Sequence, residues 1–137
     1  MNEELKCVVV VNKDDTRGVI ANTIACLSFG LGAVFTDATV DPSADKDGIL
    51  HGGIIDKPIP VLSAHGQVIR DIFLNAQRLQ NVHVLDMNNR AQEARTLAEY
   101  KELLSETATD ALNYAGISLY GPKRDINKLT GSLKLLR

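Results

Sequence analysis

Five polar residues near the start of the chain, Asn12, Asp14, Thr16, Arg17 and Asn22, follow a run of four valines, Val8 to Val11. An amide, a carboxylate, a hydroxyl and a guanidinium gathered there suit an anionic or carbonyl-bearing ligand. If a helix opens at this point, its free backbone N–H groups and positive dipole end favour negative charge. Arg17 adds a fork of donors. The bland alternative is helix capping and solvated turn charges. Asn22 is the most telling member, because asparagine gains little from helix propensity and so suggests an outside partner.

The histidines are the next candidates. His51 lies four residues past Asp47, and His65 follows Ser63 just ahead of an apolar-periodic stretch. Either could serve as an acid–base group or a ligand contact near neutral pH. His83 falls inside an apolar run and reads as structural. Counting from Ser43, oxygen-bearing residues and Gly48 imitate a calcium loop, but the twelfth position is Ile54 rather than glutamate. The segment therefore reads as a turn, with Asp47 as a possible ligand contact. Three scattered histidines make no metal site, so no metal and no cofactor are expected. There is no Gly-x-Ser-x-Gly elbow, and Ser63 with His65 is not by itself a nucleophilic pair.

These residues need elements to hold them. The valines are β-branched and apolar on both faces, as in a central strand covered by helices on each side. A helix is expected from Asp15 or Thr16, with Ile20, Ile24, Leu27 and Leu31 as its stripe and Gly30 and Gly32 as its end. Phe35 to Val40 and Ile49 to Ile55 read as a hairpin around an acidic tip. Ile59 to Leu62 reads as a strand, 66–79 as a helix with a stripe ending at Leu79, and Val82 to Asp86 as a strand. Arg90 to Tyr114 reads as one long helix with a possible split near Ser105–Asp110, broken by Gly116. Ile117 to Tyr120, Arg124 to Leu129 and Leu133 to Leu136 close the chain as strand, helix and strand. Strands alternating with helices give an α/β sandwich with the hairpin as an excursion, a single domain over residues 1–137.

Composition narrows the functions. With 45% hydrophobic residues the chain builds a core, and a net charge of −2 argues against broad nucleic-acid binding. Lys123, Arg124 and Lys128 form a small basic group that reads as a solvated helix face. Cys7 and Cys26 read as buried small hydrophobes rather than a disulfide framework. Met1 to Leu5 is polar and acidic, unlike a signal peptide, and no apolar run is read as a membrane span. No membrane partner and a cytoplasmic location are the resulting expectations.

The chain's ends carry a family likeness. Leu119-Tyr120-Gly121-Pro122, followed by Ile126-Asn127-Lys128-Leu129-Thr130-Gly131 and Leu133-Lys134-Leu135, resembles the C-terminus of the type II peptidyl-tRNA hydrolases. Ile20-Ala21-Asn22 stands where those enzymes have Ala-Ala-Gln. The whole chain is similar to an uncharacterised bacterial family of unknown function allied to that superfamily, through Asp45–Gly48, Pro58–Leu62 and Gly121-Pro122. The resemblance implies a three-layer α/β/α sandwich with a mixed sheet, peptidyl-tRNA hydrolase II-like, and a homodimer. It does not carry the chemistry. The hydrolases' lysine falls at Gly18, their helix-one histidine at Ala25, and their Asp-Ala-Gly-x-Thr segment has no counterpart. Three readings stay open: a binder of a small polar or anionic ligand at the first turn, a hydrolase or transferase using His51 or His65, and an interaction protein dimerising through a sheet edge or helix face.

Overall fold

Val8 to Val11 lie at the middle of β1 (Leu5–Asn12), and all four are fully buried. Alternation sends Val8 and Val10 to one face of the sheet and Val9 and Val11 to the other. Each buried valine contributes about 1.5–3 kcal/mol relative to an exposed one. Both faces must therefore be covered, and the rest of the chain does so. The structure, a computed structural model, describes residues 4–34 and 40–137.

Helix α1 (Arg17–Val34) lies over Val9 and Val11 through Leu27, while Leu31 packs with Cys7. A ribbon of β2 (Ser43–Ala44) and β3 (Leu50–His51) follows, then β4 (Val61–Ala64) and α2 (Gly66–Gln77). Helix α2 covers the opposite face, placing Ile69 and Ile72 beside Val8 and Val10. The chain continues through β5 (His83–Asn88), α3 (Asn89–Glu93), α4 (Leu97–Ser105), a 3-10 turn at Thr109–Ala111, and β6 (Tyr114–Pro122). It closes with α5 (Lys123–Thr130), whose Ile126 joins the α2 side, and β7 (Lys134–Leu135).

The five-stranded sheet has the order β5-β6-β1-β4-β7. Strands β1 and β4 are parallel, with Val9 opposite Val61 and Asn12 opposite Ala64. Strand β6 is antiparallel to both β1 and β5, and β7 is antiparallel to β4. The sheet is thus mixed, as expected. Gly116 lies on β6 where a side chain would not fit: a Cβ there would come 2.8 Å from both Val10 O and Thr23 Cγ2. It lets α1 settle onto the sheet.

Several expectations are corrected. Gly30 and Gly32 do not end α1, which runs on to Val34. The strand after the prolines starts at Val61 rather than Ile59, because Pro58 and Pro60 have no N–H to give to the ladder. The long helix is three short pieces. Asn88 caps α3 by accepting from Arg90 N and Ala91 N, and Thr96 caps α4 by accepting from Glu99 N. Gly116 and Tyr114 belong to β6 and not to a helix end. Leu79 is exposed beyond the end of α2, and Cys26 is exposed on α1. The return strand is only Leu50–His51, and the Phe35–Val40 strand falls almost wholly outside the described residues. Finally, α1 is, by length and a mean hydropathy of 1.4, the single helix among the described residues apolar enough to cross a membrane. Its Leu27 and Leu31 are nevertheless packed on the sheet.

Candidate functional site

The chain leaves β1 toward one face of the sheet, through α1, and leaves β4 toward the other, through α2. Two adjacent parallel strands whose connections diverge in this way open a crevice at their carboxyl ends. The turn after β1 is pinned on both sides of that crevice. Asn12 Oδ1 accepts from Asp14 N at 2.9 Å, an Asx turn, and Asn12 Nδ2 donates to the Tyr114 carbonyl at 3.0 Å. Lys13 N donates to the Ala64 carbonyl at 3.0 Å. Gly66 leaves room for the Asn12 amide, whose Nδ2 would lie 3.0 Å from any Cβ there.

So pinned, the turn carries the Asp14 carboxylate across to β4, where Oδ2 meets His65 Nδ1 at 2.7 Å. An ionised carboxylate only accepts, so Nδ1 is the donor in this contact. His65 is also the residue from which α2 starts, and its side chain does not cap that helix. The carboxyl of neighbouring Asp15 is raised above the usual range, first by burial and then by the charge of Asp14.

His65 lines a cleft of about 920 Å³ at this edge. Ile20, Val68 and Leu133 give it apolar walls, and Lys13, Lys134 and Arg137 supply cationic groups. Ser63 adds a hydroxyl, and no carboxylate side chain is part of the lining. Negative charge on a ligand would therefore be met by these cations, with the Asp14 carboxylate held against His65 beside them.

Of the residues singled out from sequence, Asn12, Asp14 and His65 come together. Thr16 caps α1, its Oγ1 3.5 Å from Val19 N, and Arg17 and Asn22 are exposed on α1 outside the cleft lining. Asn22 Oδ1 accepts from the Cys26 thiol at 3.8 Å. His51 and Asp47 stay on the ribbon. There Asp45 accepts from the backbone of Asp47 and Ile49 and bonds His51 Nε2 at 2.8 Å. These contacts, His51 first, hold the Asp45 carboxyl below its ordinary range. His83 stacks on Tyr120 across the strands, a structural role. Sequence reasoning missed Lys13, Lys134 and Arg137. Their signal was position at the ends of β1 and β7, legible only once the strand order is known.

A mixed sheet covered on both faces, with a cation-rimmed cleft at one end, defines a small α/β protein. The chain belongs to the family described as protein of unknown function DUF2000, which it matches over residues 5–137. It is also similar to the solved structure of a protein of unknown function from Agrobacterium tumefaciens strain C58. The two share 19% identity over the whole of both chains, with a TM-score of 0.85, so the likeness is one of fold. No curated protein matches the sequence.

Proposed function

We propose that this protein binds a small anionic molecule with an apolar portion in the β1–β4 cleft, with His65 as its central polar contact. The observation that carries the reading is the Asp14–His65 hydrogen bond. It fixes the ring of a residue lining a cleft whose charged side chains are all basic. The carboxylate or phosphate of the ligand would meet Lys13, Lys134 and Arg137, and its apolar part would lie against Ile20, Val68 and Leu133. A histidine oriented by a carboxylate is also the base half of an acid–base relay, which supports hydrolase or transferase chemistry through His65 as the second reading. His51, bound within the ribbon, is the weaker candidate.

The motif likeness to the type II peptidyl-tRNA hydrolases fits a scaffold kept without that chemistry. Gly18 stands where their lysine would be, and the Asp14–His65 pair is built from other positions.

A thermal-shift panel of inorganic phosphate, nucleoside monophosphates, hexanoate and benzoate tests the binding reading. A ligand at a hundredfold excess over Kd stabilises the fold by about 2.7 kcal/mol, which moves the midpoint by several degrees. The shift should shrink in Lys134→Ala and in His65→Ala. A flat panel, or a shift unchanged in both variants, overturns the reading.

A further inference from the structure

The chain exposes 9,059 Å². A monomeric globular protein of 14.9 kDa exposes about 7,000 Å². The excess, roughly 2,000 Å², is of the size that one subunit of an obligate dimer buries. Among the described residues the two most exposed large apolar side chains, Phe29 and Ile54, mark two places. One is α1, where only Thr23, Leu27 and Leu31 are buried and Phe29 is 88% exposed. The other is the ribbon segment 40–54, exposed everywhere except Gly53 and bearing Val40, Ile49, Leu50 and Ile54. Beyond the ribbon the chain returns to Ile59, which packs on the cluster of Cys7 and Leu31, the latter in the C-terminal half of α1.

The outer face of α1 has a pattern of its own. Gly18, Asn22, Ala25, Phe29 and Gly32 are all exposed and recur at alternating spacings of four and three residues, the seam of a helix pair. Glycine inside a helix costs about 1 kcal/mol relative to alanine. Among the described residues nothing requires Gly18 or Gly32, because a Cβ on either would meet no atom within 4 Å. Gly30, on the inner side, does face a neighbour, Leu85 Cδ1 at 2.9 Å. The outer glycines bear a local cost with no return inside one chain.

The geometry points to a second copy of this chain as the occupant of that face, with the two α1 helices antiparallel about a two-fold axis through Ala25. In that arrangement Ala25 faces Ala25 of the second copy, Phe29 covers its Ala21, and Gly18 meets its Gly32. The largest side chain falls on a small one, and the glycines let the backbones approach. A two-fold interface requires a patch complementary to itself, and this one is. On α1 the sole charged side chain is Arg17, at the helix end, so the helix face itself carries no charge pattern to select a different protein. Area decides the rest: a helix pair alone is small, and the ribbons bring the buried surface to the scale of a stable dimer. A bilayer suits the face less well, since surface-lying helices are rich in basic residues and α1 has only Arg17.

Sedimentation and light scattering of the whole chain over a wide concentration range should give twice the 14.9 kDa mass. Phe29→Glu should give the single-chain mass with an unchanged circular-dichroism spectrum, since the exposed ring supports nothing inside its own chain. Ala25→Cys in a Cys26→Ser background should cross-link to a dimer under mild oxidation, because a residue on the axis meets its own copy within disulfide reach. A monomer at every concentration overturns the proposal. So does a dimer indifferent to Phe29→Glu with no cross-link at position 25, or a monomer that sediments with neutral phosphatidylcholine vesicles through Phe29.

Discussion

Asp14 and His65 lie 51 residues apart in the chain and meet at 2.7 Å, joining the turn after β1 to the residue that opens α2. Both side chains are more than half exposed, so the pair contributes little to stability. An exposed ion pair is worth at most about 1 kcal/mol. Asp14→Asn and His65→Ala should each leave the urea midpoint nearly unchanged. Each should also weaken, by roughly tenfold or more, the binding of whichever anion the thermal-shift panel identifies, in line with the loss of a charge-assisted contact. A drop of about 3 kcal/mol in folding stability in either variant would instead mark the pair as a structural clamp.

Gly116→Ala tests how closely α1 is seated. The added methyl would have to displace both Thr23 and the Val10 carbonyl, each at 2.8 Å, and the second of these is backbone. Overpacking of this kind costs about 1–3 kcal/mol. The expected fall in the denaturant midpoint, at constant m-value, is measured by urea unfolding followed at 222 nm. Gly32→Ala is the internal contrast: with open space around it, the single-chain fold should gain rather than lose helix stability.

What was readable in the sequence follows from how local each signal is. The valine run announced a two-faced central strand because β-branched residues with no polar alternation have few other uses. Helix α2 was readable from Ile69, Ile72 and Ala76 at helical spacing, and these are its buried residues. Residues 90–114 were misread because apolar spacing alone does not mark the breaks. The signals lie in the caps: Asn88 ahead of Arg90, and Thr96 with Glu99 at capping-box spacing. The site was half legible. Asn12 and Asp14 follow from their place at the end of β1. The convergence of His65 depends on β4 lying beside β1, and that of Lys134 and Arg137 on β7 lying beside β4, which are long-range facts.

Asn88 is the residue on which the α3 region turns. It is fully buried, its Oδ1 accepts from Arg90 N and Ala91 N, and its Nδ2 donates to Asp86 Oδ2 at 2.8 Å and to Tyr100 Oη at 3.2 Å. Asn88→Ala removes a helix cap and strands four partners at once. Lost caps cost about 0.5–2 kcal/mol and buried unsatisfied groups about 1–3 kcal/mol. A total of roughly 2–4 kcal/mol is expected in chemical denaturation, with amide exchange accelerated first in α3 and α4. A loss below about 0.5 kcal/mol would show that water replaces the amide without penalty.

Asp86 gives the stability of the fold a pH dependence whose sign can be worked out. Burial raises its carboxyl above the ordinary range, and the hydrogen bond from Asn88 opposes that only in part. The phenol of Tyr114 is raised as well, mainly by burial and then by the charge of Asp86. Between the ordinary carboxylate pKa and the raised one, the folded chain holds the Asp86 proton while the unfolded chain has released it. Folding then binds protons, so this contribution to stability falls as pH rises through the window and stays reduced above it. Asparagine at position 86 is neutral throughout and still offers an oxygen to Asn88. Asp86→Asn should therefore be more stable than the parent at about pH 8, and the difference should close as pH falls to about 4, near the unfolded carboxylate value. Urea titrations of both proteins across that range measure it. A difference that instead widens toward low pH would mean that the ionised carboxylate is favoured in the folded chain.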